Sequence, residues 1–197
     1  MPRSVIAGVD VGSITLPSAD RLVDVLVSAA RGAGVDPGGL VVGTHLQVTR
    51  SGRPHVVLTT SSAGTAGWQW WLMVRALSGH RAPLAVCVGR DAVGDDDAVE
   101  AARAAVEERA GRIAGRCVHF PGAEAIAGTM TAGQITAASA IDVVTEVGRG
   151  ELAPDAEILT GARVRPRWEF GALTLHVQHE GQGVYLPFES ASALRVG

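Results

Sequence analysis

The sequence predicts an α/β domain built on a mixed sheet, on three observations. Short β-branched runs alternate with helix-patterned segments along the chain. One helical segment, 61–79, is apolar nearly all round, the pattern of a buried helix. The chain then closes in short strands separated by glycine-rich turns. Its 197 residues are enough for one sizeable core. No linker or low-complexity stretch divides them, so residues 1–197 read as one domain.

Ser4 to Gly12, SVIAGVDVG, is a first buried strand. Ser18 precedes a helix in which Leu22, Val23, Leu26, Val27 and Ala30 recur at helical spacing, and Gly34 suits its C-terminal cap. Leu40 to Val48 and His55 to Thr60 are strands joined by the turn residues of RSGRP. In the apolar helix that follows, Trp68, Trp71 and Leu72 share a face. Leu84 to Gly89 reads as a central strand. VGDDDAVEAARAAVEERAGRIAG, from Val93 to Gly115, is a strongly amphipathic helix whose acidic start suits the positive end of the helix dipole. After the short strand CVHF, the small-residue run Thr131 to Val147 reads as one further helix, broken by GRGELAP. ILTGARV, EFGALTLHVQ and VYLPFE complete a meander.

Composition excludes several classes of function. Hydrophobic residues make up 47% of the chain and charged residues 19%, too apolar for a disordered chain. Arg or Asp interrupts every apolar run, so no membrane span is expected. No basic region precedes an apolar one at the start, and a cytoplasmic location is expected. A net charge of -3 is no footprint for nucleic acid. All 17 basic residues are Arg, which excludes lysine-dependent chemistry such as a Schiff base or a P-loop. Cys87 and Cys117 stand in strand-like apolar runs and read as reduced, inert core residues.

The remaining polar motifs give no metal centre and imply no cofactor. His176 and His179 are close in sequence, but on a strand they face opposite sides. Asp95, Asp96 and Asp97 read as a helix cap. Ser61 and Ser62 stand where a strand ends and the apolar helix is expected to begin. Such a serine either caps the helix or serves as a nucleophile in a tight turn.

Three segments carry a family resemblance: GTMTAGQITAASAIDVV from Gly128, GRGELAPDAEILTG from Gly148, and FGALTLHVQHEGQGVYLPF from Phe170. They resemble the C-terminal part of the chain-length factors of type II polyketide synthases. These are the non-condensing partners of β-ketoacyl synthases in the thiolase-like superfamily. Thr129, Met130, Thr131, Ile141, Asp142, Val143, Gly150, Pro154, Leu159, Thr160 and Gly161 fall in step with the family pattern. The N-terminal half is similar in looser patches, with TTSSAGTAG at the position of the nucleophile turn. The resemblance implies a reduced thiolase-like layered fold. The helices 62–78 and 131–147 would be buried at its centre as pseudo-symmetric counterparts.

The departures bear on activity. Ser62 stands where the synthase has its nucleophilic Cys, and Gly128 and Gly133 where it has a Lys and a His. Condensation needs nucleophile and oxyanion donors together, so none is expected. The resemblance thus implies an accessory protein of polyketide or fatty-acid-type biosynthesis that binds a synthase or acyl-carrier partner. Ser62, Thr129, Met130, Thr131 and Gln134 are its candidate binding residues. The alternative is an acyltransferase or thioesterase-like enzyme with Ser62 as acyl acceptor; a third reading is an acyl-chain binder without a protein partner. Assembly is expected as a homodimer or as a heterodimer with a ketosynthase-like subunit, with His55 to Thr60 as the edge strand at the interface.

Overall fold

The computed structural model describes residues 5–13, 15–64, 67–79, 83–161, 163–181 and 183–189. In chain order the elements are β1 (Ile6–Ser13), α1 (Leu16–Gly32), β2 (Val41–Val48), β3 (Pro54–Ser61), α2 (Gly67–Ser78), β4 (Ala85–Val88), β5 (Asp91–Gly94), α3 (Asp96–Gly111) and β6 (Arg116–His119). The second half adds β7 (Thr129–Thr131), α4 (Ala132–Ala138), β8 (Val143–Glu146), β9 (Gly150–Glu151), β10 (Glu157–Leu159), β11 (Arg167–Glu169), β12 (Ala172–His179) and β13 (Val184–Pro187). The expected α/β class and mixed sheet are present. The strand order is β5-β4-β1-β3-β2-β6-β11-β12-β13-β10-β7, with β8 also on β12 and β9 on β8. Every pairing from β5 to β12 along this order is antiparallel. The parallel pairs are β8 with β12 and β10 with β13.

Helices cover both faces of the first half of the sheet. On one face α1 and α2 bury Val23, Leu26, Trp70, Met73 and Leu77 against Val9, Val42, Val56 and Leu58. On the other, α3 lays Ala101, Ala102 and Ala105 on Val57 and Cys87. Alanine on this stripe lets the backbones approach closely: a Cβ on Gly8 would stand 2.7 Å from the Ala102 carbonyl oxygen. A second core, around Ile135, Ile141, Ile158, Leu173 and Leu175, belongs to the second half.

The caps explain where the helices start and stop. α1 begins at Leu16 behind Thr15, whose side chain accepts from Ser18 N, rather than at Ser18. It ends at Ala33, where Gly34 turns left-handed at φ 72° and Val35 N donates to Ala30 O at 2.9 Å. Asp95 caps α3 by accepting from Asp97 N and Ala98 N.

Four expectations are corrected. α2 is a covering helix and is not buried between layers: Trp70, Met73, Val74 and Leu77 point inward, while Trp71 and Leu72 are exposed. The Trp68 side chain, and His80 beyond the helix, lie outside the described residues. The run 131–147 is not one helix. α4 stops after seven residues, and Val143–Glu146 continues as a strand parallel to β12. No helical counterpart to α2 arises there. Finally, β3 lies between β1 and β2 and so cannot be an edge, and β4 sits next to the β5 edge rather than at the centre.

Candidate functional site

Four of the five residues singled out by the resemblance come together at the far edge of the sheet. Thr129, Met130 and Thr131 form β7, which among the described residues pairs only with β10, in register with Leu159, Ile158 and Glu157. Gly128 enters this strand in a left-handed conformation, φ 67°, and its carbonyl accepts from Thr160 N and Thr160 Oγ1. Thr131 then caps α4. Its Oγ1 accepts from Gln134 N at 3.2 Å, and Gln134 Oε1 accepts from Thr131 N at 2.9 Å. Thr131 and Gln134 therefore spend these polar groups on holding the strand-to-helix corner. Thr129, Met130 and Gln134 line an open depression of about 520 Å³, walled by Ala125, Ala127, Ala137 and Ala138.

Ser62 is not part of that surface. It follows β3, which is fourth in the strand order where β7 is eleventh. It is buried, and no histidine is hydrogen-bonded to it among the described residues. α2 begins only at Gly67. Ser62 is thus neither the cap of that helix nor at its N-terminal amides, the position both readings of this serine required. The neighbouring Ser61 Oγ accepts from Arg109 Nη2 at 3.3 Å.

Sequence reasoning missed three histidine systems: two that the sheet assembles beneath and beside α3, and a half-buried one on β12, where His176 lies between Thr145 Oγ1 at 2.9 Å and Glu169 Oε2 at 3.0 Å. His45 lies between a carboxylate and a hydroxyl: Nδ1 is 2.9 Å from Glu108 Oε2 and Nε2 is 3.0 Å from Thr59 Oγ1. This acid–imidazole–hydroxyl order is the one acyl-transfer enzymes use to activate a nucleophile. Here it is sealed. His45 is 1% exposed and Thr59 0%. A Cβ on Gly115 would stand 2.3 Å from the imidazole, so the chain closes directly over the ring. The hydrogen bond to His45 holds the Glu108 carboxyl below its ordinary value, against the opposing effect of burial.

The second system joins β1 to β3. The fully buried Asp10 accepts from Gly12 N through Oδ1 and sits 2.7 Å from His55 Nδ1 through Oδ2. Two bonds orient the carboxylate and the carboxylate orients the ring, but no hydroxyl or thiol of a described residue is hydrogen-bonded to His55. The one signal for it in the sequence is Asp10, a lone charge inside an apolar strand that must find a partner when buried. That its partner stands 45 positions away is not readable from the local pattern.

The thiols offer no nucleophile. Burial pushes the Cys117 thiol up to about 12, and burial likewise raises Cys87. Only the thiolate attacks. His176 and His179 have separate surroundings: His176 Nδ1 is 2.9 Å from Thr145 Oγ1, and His179 packs edge-on to Tyr185. No helix among the described residues is long and apolar enough to cross a membrane. No protein family, curated protein or solved structure matches the chain.

Proposed function

We propose that this chain works by binding and not by covalent acyl chemistry. It is read as a non-condensing accessory protein, of the chain-length-factor kind, for polyketide or fatty-acid-type biosynthesis. The observation that carries the reading is the state of the candidate acyl acceptor: Ser62 is buried, and among the described residues no histidine is hydrogen-bonded to it. The reading treats the fold as a reduced thiolase-like arrangement. Its support there is the succession of β3, the Ser62 turn and α2, with helices on both faces of the sheet. The resemblance over Thr129 to Gly161 supplies the biosynthetic context.

The partner is a ketosynthase-like subunit or an acyl carrier protein, and the depression at Thr129, Met130 and Gln134 is the docking surface. It has an apolar floor and an adjoining strand edge that pairs with no described residue on its outer side; open edges of this kind accept a further chain. Co-expression with a ketosynthase and an acyl carrier protein of type II polyketide biosynthesis tests this. The tagged chain should retain one of them, and Met130→Arg should abolish retention while leaving the melting temperature unchanged. A wild-type chain that retains neither defeats the reading.

A further inference from the structure

A partly open cleft that combines apolar walls with charge lies between α1 and the second half of the molecule. It has a volume of about 470 Å³, within the ordinary range for small-molecule sites. Val23, Val27 and Arg31 face it from one stripe of α1. Val118, Ile126 and Glu124 face it from the end of β6 and the turn beyond, and Val164 closes it below.

Its charged groups are of two kinds. Arg163 is neutralised by Asp24 at 2.6 Å, and Arg165 by Asp20 at 3.2 Å. The exposed side chains of Arg31 and Glu124 have no hydrogen bond or ion pair with any described residue, nor do they pair with each other. The cleft therefore presents one spare guanidinium on the α1 wall and one spare carboxylate on the opposite wall, above a valine and isoleucine floor. A polyanion would meet Glu124, and a simple cation would meet Arg31. A molecule with both charges and an apolar body satisfies every group at once.

We infer that this cleft binds a free apolar α-amino acid. Arg31 takes the carboxylate in a forked pair of hydrogen bonds, Glu124 takes the ammonium, and the side chain lies on Val23, Val27, Val118 and Ile126. The inference is independent of the accessory-protein reading, because it concerns the chain alone and a different face.

Calorimetric titration of the purified chain tests it with three matched probes: phenylalanine, 3-phenylpropanoate, which lacks the ammonium, and 2-phenylethylamine, which lacks the carboxylate. Phenylalanine should bind saturably at one site, with each analogue weaker by about tenfold or more. Arg31→Ala should weaken phenylalanine by a similar factor and leave 2-phenylethylamine unchanged. Glu124→Gln should weaken phenylalanine and leave 3-phenylpropanoate unchanged. Both side chains are exposed, so unchanged melting temperatures verify that the variants fold. No saturable heat up to about 10 mM, equal affinity for the three probes, or phenylalanine binding indifferent to both substitutions would each overturn the inference.

Discussion

Gly115 has a φ of 109° and lies against the His45 ring, where an added Cβ would come within 2.3 Å of Cε1. Gly52 also has a positive φ, 76°, but opens onto empty space. The pair separates backbone strain from collision. Gly52→Ala should cost about 1–2 kcal/mol for the left-handed conformation alone. Gly115→Ala should cost about 2–5 kcal/mol, because overpacking adds to that strain. Urea unfolding of the two variants measures the difference, and equal losses would mean that the ring is not held against the chain. The same histidine makes stability depend on pH. Its hydrogen bond lowers the Glu108 carboxyl in the folded state. The stabilisation is therefore fully present above the unfolded value, about 4.3, and is lost as pH falls through the lower folded value. Glu108→Gln should be less stable than wild type at pH 7, and the gap should narrow below about pH 4. A gap that stays constant with pH would show that the carboxylate is not held by His45.

Elements were legible where their hydrophobic period was strong. β2 and β3 lie within a residue of their expected bounds, because alternation is a local signal; α3 was expected from Val93 to Gly115 and is shorter at both ends, since Asp95 caps its start and Arg112 turns left-handed at its end. The Asp95 cap is worth about 1 kcal/mol; Asp95→Ala should lower stability by that amount, whereas Asp96→Ala, whose side chain makes no capping bond, should change it far less. Equal effects would move the cap. The segment 131–147 was misread because alanine and threonine carry no strong period. Tertiary contacts decide it. Ser139 leaves the helix with extended angles, its Oγ accepts from Ile141 N, and the Asp142 carboxylate accepts from Leu173 N at 2.7 Å. The β-branched Val143 and Val144 then pair with β12. In α2 the sequence grouped Trp71 and Leu72 with Trp68 on one face, yet Trp71 and Leu72 are exposed. Packing on α1 selected Trp70, Met73 and Leu77. The histidine pairings were illegible for a related reason, since 63 residues separate His45 from Glu108 and only the folded sheet brings them together.

At the scale of the whole molecule, the two halves meet along β6 and β11, and charge holds the seam. Arg116 reaches Asp20 on α1 at 2.6 Å and Glu189 at 2.6 Å, and Arg165 shares the same Asp20. Arg109 and Arg112 both lie over the Trp168 ring, at 4.4 and 4.8 Å. This seam fixes the relation between a layered first half, where the hydroxyl and imidazole groups are sealed or unpaired, and a second half that carries the proposed docking surface. The central claim is that the chain binds its partner and accepts no acyl group. Native mass spectrometry of the chain mixed with an acyl-loaded acyl carrier protein and a ketosynthase of type II polyketide biosynthesis tests both parts in one spectrum. The account predicts a complex containing this chain at its unmodified mass; a chain heavier by one acyl group, with the added mass on Ser62, would contradict it.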